Sequence, residues 1–398
     1  MLIAHRIALD PTDRQRTAFA RGAGTARFAW NWALAEWGRQ RAARAADPSL
    51  PAPSEAGLRR RLNAVKRDSF PWMFDVSKCA VQEAIIDLGA AFRSFFEGRG
   101  RHPRFKAKGR HDSFCAANET GTFRCEGRRI RLPRVGSVRM REAVRFAGPL
   151  KRVTVSREAG DWFASVQVDT ADIRPVAQPR ATVSVDLGIT ALATLSDGTV
   201  LTGPRAHKAL LGRLRRTGRA LSRKRKGSAN RREAKARLAR LHARIAAIRR
   251  DATHKATTML VRSYARIGIE DLNVRGMSRN RHLARSILDA GFFEFRRQLA
   301  YKARMYGATV VVADRWFPSS KTCSCCGSVK AGLALSQRTF ACDACNHEAP
   351  RDLNAAINLE RLAASSAVTA CGEDRSGAGR KPRVKRTSAK QEPDSIAA

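Results

Sequence analysis

Four cysteines in the last quarter of the chain have the plainest chemistry: Cys323-x2-Cys326 and, fifteen residues later, Cys342-x2-Cys345. Each Cys-x2-Cys knuckle offers two thiolates from one turn, and two knuckles can close a tetrahedron around Zn²⁺. All four positions are then filled by protein, so the metal is structural and the catalytic centre lies elsewhere. Gly327 and Gly332 suit the turns of such a ribbon. Cys325 is a spare thiol, because using it in place of Cys326 spoils the two-residue gap, and His347 is a bystander beyond Cys345. The nine cysteines are an odd number with four clustered, which in a reducing compartment favours metal over disulfides.

A second constellation is acidic, and acids are scarce: 35 Asp plus Glu against 76 Lys plus Arg, a formal charge of +41. Asp186 ends the apolar run ATVSVD, Glu270 ends RIGIE, and Asp352 opens the helical segment DLNAAINLERLA. Singly, these read as a turn residue, a surface acid and a helix cap. Brought together, three carboxylates repel one another unless they share divalent cations, and Mg²⁺ takes such oxygens along with a substrate's phosphate oxygens. Two such ions activate a water and stabilise the leaving 3′ oxygen in phosphodiester cleavage. The expected chemistry is Mg²⁺-dependent hydrolysis, with two ions and no covalent enzyme intermediate.

The acids converge only if the elements carrying them are neighbours. Residues 181–186, 191–195 and 199–201 read as three antiparallel strands, with Asp197-Gly198 as a hairpin signal. A long basic helical stretch over 206–263 follows, broken at Gly227-Ser228, with Leu238, Leu241, Ile245 and Ile248 on one seam. Then come the strand 266–270, a helix over about 290–306, a buried strand over 308–313 and a final helix. Three antiparallel strands, helix, strand, helix, strand, helix is the order of an RNase H-like α/β domain, interrupted by a cysteine-rich insert. Its first and fourth strands are neighbours, which places Asp186 beside Glu270 with the last helix alongside.

Upstream, residues 3–9 alternate as a strand, and helices are expected to about residue 100. One face of the third helix carries Val81, Ile85, Leu88, Phe92 and Phe95, and Trp30 and Trp37 read as core packing. Short alternating runs over 113–170 suggest a small antiparallel barrel or sheet, to which the first strand can belong. Residues 175–179 read as a linker, and the composition beyond Leu362 as a disordered basic tail.

The excess charge predicts a polyanionic partner, because phosphate contacts release counterions and dominate affinity. Arg104, Lys106 and Lys108 lie in a Gly- and Pro-bounded basic loop, and Arg215, Arg216, Arg223, Lys224, Arg225 and Lys226 surround the break in the helical stretch. These are the candidate nucleic-acid contacts. No run approaches the ~18 apolar residues of a membrane helix, and the first residues lack an apolar signal core. A cytoplasmic, nucleoid-associated protein with no membrane partner is expected.

Val185-Asp186-Leu187-Gly188-Ile189, Gly268-Ile269-Glu270-Asp271-Leu272-Asn273-Val274, Trp316-Phe317-Pro318-Ser319-Ser320-Lys321-Thr322-Cys323 and Arg351-Asp352-Leu353-Asn354-Ala355-Ala356 resemble the RuvC-type motifs and zinc ribbon of the TnpB (OrfB) family. These are insertion-sequence proteins related to type V CRISPR effector nucleases. The N-terminal Phe28, Trp30 and Asn31 and the loop Pro103-Arg104-Phe105-Lys106 extend the resemblance over residues 1–362. It implies an RNA-guided DNA endonuclease: a guide RNA from the transposon end, a double-stranded DNA target beside a short transposon-adjacent motif, and a monomer that cleaves with the triad Asp186, Glu270 and Asp352. The implied architecture is a wedge-like β-barrel (1–10 plus 105–175) with an inserted helical recognition bundle (11–104). A RuvC-like nuclease domain (180–362) follows, with a zinc ribbon nested at 318–350, and then the tail (363–398). Ala349-Pro350 departs from the family pattern, in which an acid is often found there. Two other readings are a transposase that joins strands and a guided DNA-binding regulator that does not cut. A tyrosine-dependent single-strand transposase needs a His-x-His pair, which none of the eight histidines supplies.

Overall fold

The computed structural model describes residues 1–119, 121–170, 182–334 and 336–369. The proposed linker at 175–179 and the tail from 370 onward lie outside them.

The chain begins with β1 (Leu2–Asp10), α1 (Asp13–Ala46), α2 (Glu55–Ser69), a short 3-10 turn at Pro71–Asp75 and α3 (Lys78–Phe96). Thr12 caps α1 reciprocally with Gln15, satisfying donors that the helix itself leaves orphaned. Then follow β2 (Ser113–Ala117), β3 (Arg124–Glu126), β4 (Arg129–Leu132), β5 (Gly136–Met140), β6 (Leu150–Glu158) and β7 (Asp161–Asp169). The order is β2-β6-β7-β1-β5-β4-β3, with every pairing antiparallel. The first strand is thus central, paired with β7 from Leu2↔Asp169 to Ala8↔Phe163. Its alternation buries His5, Ile7 and Leu9. The helices pack on this sheet through Phe19, whose ring meets those of Phe114 and Trp162, and on each other through Trp37 stacked on Phe92 at 4.0 Å.

The second half contains β8 (Thr182–Asp186), β9 (Ala193–Leu195), β10 (Val200–Leu201), α4 (Ala206–Ser222), α5 (Ala229–Ser263) and β11 (Arg266–Glu270). It continues with α6 (Val274–Met277), α7 (Ala284–Ala290), α8 (Phe292–Tyr306), β12 (Thr309–Ala313), β13 (Thr339–Ala341), β14 (Glu348–Pro350) and α9 (Arg351–Thr369). Five strands form one sheet in the order β10-β9-β8-β11-β12. The β9 strand is antiparallel to both of its neighbours, while β8, β11 and β12 run parallel. Strands β8 and β11 are buried on both faces, as a parallel pair covered by helices must be. Val183, Val185, Ile267 and Ile269 pack with Leu260 and Val261 of α5 and Phe295 and Leu299 of α8. The alternate residues face the other way, toward α9: a Cβ on Gly268 would lie 3.1 Å from the Cβ of Ala363. The α4–α5 hairpin closes on its own seam of Leu214, Leu241 and Ile245.

Three expectations change. The expected 290–306 helix is α8 from Phe292, and Gly291, at φ +74°, separates it from an additional helix, α7, that the residues did not announce. The strand predicted as buried, β12, is the sheet edge among the described residues: it pairs there with β11 alone, and Val312 is 41% exposed. Helix α9 continues past Leu362 to Thr369.

Gly268 is where the sheet has no slack. A Cβ there would lie 2.0 Å from Ser184 Oγ on β8, a buried hydroxyl without a hydrogen-bond partner. Gly268→Ala is therefore expected to lower unfolding stability by about 1–3 kcal/mol, the usual cost of overpacking. Adding Ser184→Ala should restore part of it, and urea titration of both variants checks this.

Candidate active site

Strand alternation puts Asp186 and Glu270 on the same face as Ser184 and Gly268, the face covered by α9. The ladder sets Ile269 opposite Val185, so the two acids leave the sheet at the ends of adjacent parallel strands. Asp352 lies in the first turn of α9, the helix packed across both. The three charges act on one another. Burial first, then the charges of Glu270 and Asp352, push the Asp186 carboxyl up to about 8, with Arg351 partly opposing. Glu270 Oε1 accepts a hydrogen bond from Ser319 Oγ at 2.5 Å. The neighbouring Asp271 turns away into ion pairs with Arg296 and Arg315, which hold its carboxyl below the usual range.

The four cysteine sulfurs all lie within 4.8 Å of one another, a set that fits one tetrahedral Zn²⁺. Among the described residues this is the only such tight grouping of ligand atoms; the acids form a more open arrangement. Cys323 and Cys345 Sγ are 3.7 Å apart, and Cys326 and Cys342 Sγ 3.6 Å. Cys325 lies outside the set and is exposed. His347 is also outside it, with Nε2 3.2 Å from Ser324 Oγ.

The two centres share a helix. Asn354 Oδ1 accepts from Ser324 N at 2.8 Å, and its Nδ2 donates to Thr322 O at 2.7 Å. One turn later, Asn358 Nδ2 donates to the carbonyls of Ser319 and Thr322 at 2.9 and 2.6 Å. Both asparagines are buried. They fasten the segment containing the first knuckle and Ser319 to the helix that bears Asp352. The sequence reading missed them, although their i, i+4 spacing on an otherwise apolar face was the available signal.

The basic candidates divide. Arg104 and Lys108 are exposed, whereas the Lys106 ammonium is 3.7 Å from the centre of the Trp30 ring and desolvation lowers its pKa. The loop docks on α1, with Asn31 bonding both the amide and the carbonyl of Lys106 and Trp30 Nε1 donating to Arg104 O. Arg216 and Lys224 line an open cleft of about 790 Å³ between α4 and α5, joined by Arg213, Arg237, Arg240 and Arg244, which the sequence reading did not single out. Arg215, Arg223, Arg225 and Lys226 are exposed outside its lining.

A protein of Streptomyces pristinaespiralis whose name contains RNA-guided DNA endonuclease is 38% identical to this chain, covering 98% of this chain and 96% of the relative. The chain belongs to the TnpB (OrfB) family. InsQ of Escherichia coli K12, whose name contains the same activity, is 37% identical over 94% of each TnpB-type chain. The OrfB family described as a probable transposase matches residues 165–281, a Cas12f1-like TNB domain matches 292–359, and a helix-turn-helix domain matches 1–45. In this TnpB chain that last segment is β1 followed by the continuous α1. The solved Cas12f1 complex with single guide RNA and target DNA has the same fold at TM-score 0.55 and 13% identity, covering 86% of this chain and 82% of that one. Among the described residues, no helix is long and apolar enough to cross a membrane.

The Asp186 environment has a stability consequence. An acid whose folded pKa is about 8 against roughly 4 unfolded keeps its proton in the folded state, so stability falls as pH rises from about 4 to 8. In protein dialysed free of Mg²⁺, Asp186→Asn should stabilise the fold by on the order of a few kcal/mol above pH 8, with the gain vanishing toward pH 4. Denaturant midpoints of both proteins across that range test the sign.

Proposed function

We propose that this chain is an RNA-guided, Mg²⁺-dependent DNA endonuclease of an insertion sequence, with Asp186, Glu270 and Asp352 as its catalytic acids. The observation that carries the reading is their convergence: two strand ends and a helix start place three carboxylates where burial and mutual repulsion raise the pKa of Asp186. A largely buried carboxyl whose ionisation is opposed by two neighbouring acids fits a divalent cation. Two such ions, when bound, supply an activated water and stabilise the leaving 3′ oxygen.

The residues of this chain prepare that chemistry. Ser319 orients Glu270 through its hydroxyl. Asn354 and Asn358 fix α9, and with it Asp352, against the knuckle. Arg351 lowers the cost of ionising Asp186. The strand order supports an RNase H-like (RuvC) domain with a zinc ribbon nested between β12 and α9, Zn²⁺ serving as a structural ion. The N-terminal sheet with its inserted helices corresponds to a wedge barrel and recognition bundle that reads a short flanking motif. The guide is an RNA from the transposon end, the target is double-stranded DNA, and one chain cuts both strands in turn. Arg104, Lys108 and the α4–α5 arginines supply phosphate contacts, which read shape rather than sequence.

Purified with its co-expressed RNA and given Mg²⁺, the protein should linearise a plasmid bearing the guide-matched target beside a randomised flank. Orienting partners of metal ligands already contribute 10–100-fold, so Asp186→Ala, Glu270→Ala and Asp352→Ala should each lower the rate more than about a hundredfold. Cutting unchanged by Asp186→Ala sinks this reading. Joined transposon ends would point to strand transfer, and guide-dependent binding without cutting to a regulator.

A further inference from the structure

Trp316 is 85% exposed, the most exposed large apolar side chain among the described residues, and Phe293 is next at 69%. Indole rings are usually largely buried, so a ring this open on the segment leading to Ser319 is free to take a ligand. The positions of both residues are fixed. Phe293 is on the first turn of α8, one turn before Arg296, and Arg296 and Arg315 grip the same Asp271 carboxylate from two sides. Trp316 follows Arg315 directly. Both residues are thus close in sequence to an ion-paired ladder, Arg296–Asp271–Arg315, whose two guanidiniums leave a net positive charge.

This ladder adjoins the acids. Asp271 follows Glu270 in the chain, and Ser319, which hydrogen-bonds Glu270, is three residues after Trp316, at most about 11 Å of extended backbone. The loop between them is braced: Trp316 N donates to Asp314 Oδ1 at 2.8 Å, Ser319 N to Phe317 O at 2.8 Å, and Asn358 holds the Ser319 carbonyl at 2.9 Å. The indole is thus presented on an ordered backbone tied at both ends to the acidic site.

Resting on the endonuclease reading, we propose that Trp316 is a stacking platform for unpaired bases of the DNA strand delivered to Asp186, Glu270 and Asp352. Flat aromatic faces next to guanidinium groups are how proteins hold single strands without reading their sequence: the ring takes the base and the cation takes the backbone. A duplex keeps its bases stacked on one another and offers the indole nothing, so the platform selects a strand already separated from its complement. Trp316 is a positioning residue in this account. It holds the strand so that the scissile phosphate rests at the carboxylates, and it takes no part in the bond chemistry.

The test uses the RNA-loaded protein with Mg²⁺ and pre-unpaired, guide-matched DNA in which a single abasic nucleotide is walked through the cut region. Wild type should cut the intact strand and lose about tenfold at one or two abasic positions, the scale of one base–aromatic stack. Trp316→Ala should be slowed about tenfold on intact DNA and be indifferent to those same positions, while Trp316→Phe stays close to wild type. The indole is solvent-exposed, so zinc content and thermal midpoint should not move. A flat abasic scan with active wild type, or a Trp316→Ala protein that cuts at the wild-type rate or keeps the abasic sensitivity, overturns the platform and leaves the nuclease standing. Absence of any cutting by wild type overturns the nuclease reading and the platform with it.

Discussion

A largely buried aspartate, Asp186, set at the end of an interior strand within the field of Glu270 and Asp352, is the constraint around which the second half of this protein is organised. Asp186 is driven up to about 8 by its burial and by Glu270 and Asp352, so the arrangement is held together against its own electrostatics. Packing elsewhere supplies the force: β8 and β11 are parallel, buried on both faces and locked in register. Glycine at 268 lets β8 and α9 pack closely against β11. A function that required only DNA binding would gain nothing from this strain, whereas a cation site turns the repulsion into affinity.

Helix α9 carries the coupling. Its first turn holds Asp352, and its next two turns hold Asn354 and Asn358, whose amides bind the backbone of the Ser319–Ser324 segment. That segment supplies the hydroxyl bonded to Glu270 and leads into Cys323. The four-cysteine centre is thus mechanically continuous with the acids although its ligands are full. A Zn²⁺ held by these four sulfurs would add rigidity, because a small unit with little hydrophobic core gains its order from such a metal.

Much of this was legible in the residues. RIGIE is β11 from end to end, the hairpin break at Gly227-Ser228 separates α4 from α5, and the Cys-x2-Cys spacing predicts sulfurs that the structure brings within 4.8 Å. These features are local or have strict spacing. What stayed hidden depends on long-range partners. Nothing in ATVVVA says that β12 lacks a second neighbour, since an edge strand and a central one share the same apolar alphabet. Lys106 reads as a free cation until Asn31 and Trp30, some 75 residues away in sequence, draw its loop onto α1. The cleft arginines 213, 237, 240 and 244 become a group only when the hairpin closes. Asn354 and Asn358 leave a signal in their i, i+4 spacing on an apolar face, but the carbonyls and amide they hold come from a segment 30 to 39 residues away.

The central claim is that Asp186, Glu270 and Asp352 form one divalent-cation site. Anomalous diffraction from crystals of the RNA-bound protein soaked in Mn²⁺, recorded beside Asp186→Asn, tests it most directly. One shared site gives manganese density in contact with all three carboxylates in wild type and its loss in the variant. Manganese bound elsewhere, or three carboxylates that remain apart with no ion between them at saturating Mn²⁺, would contradict it.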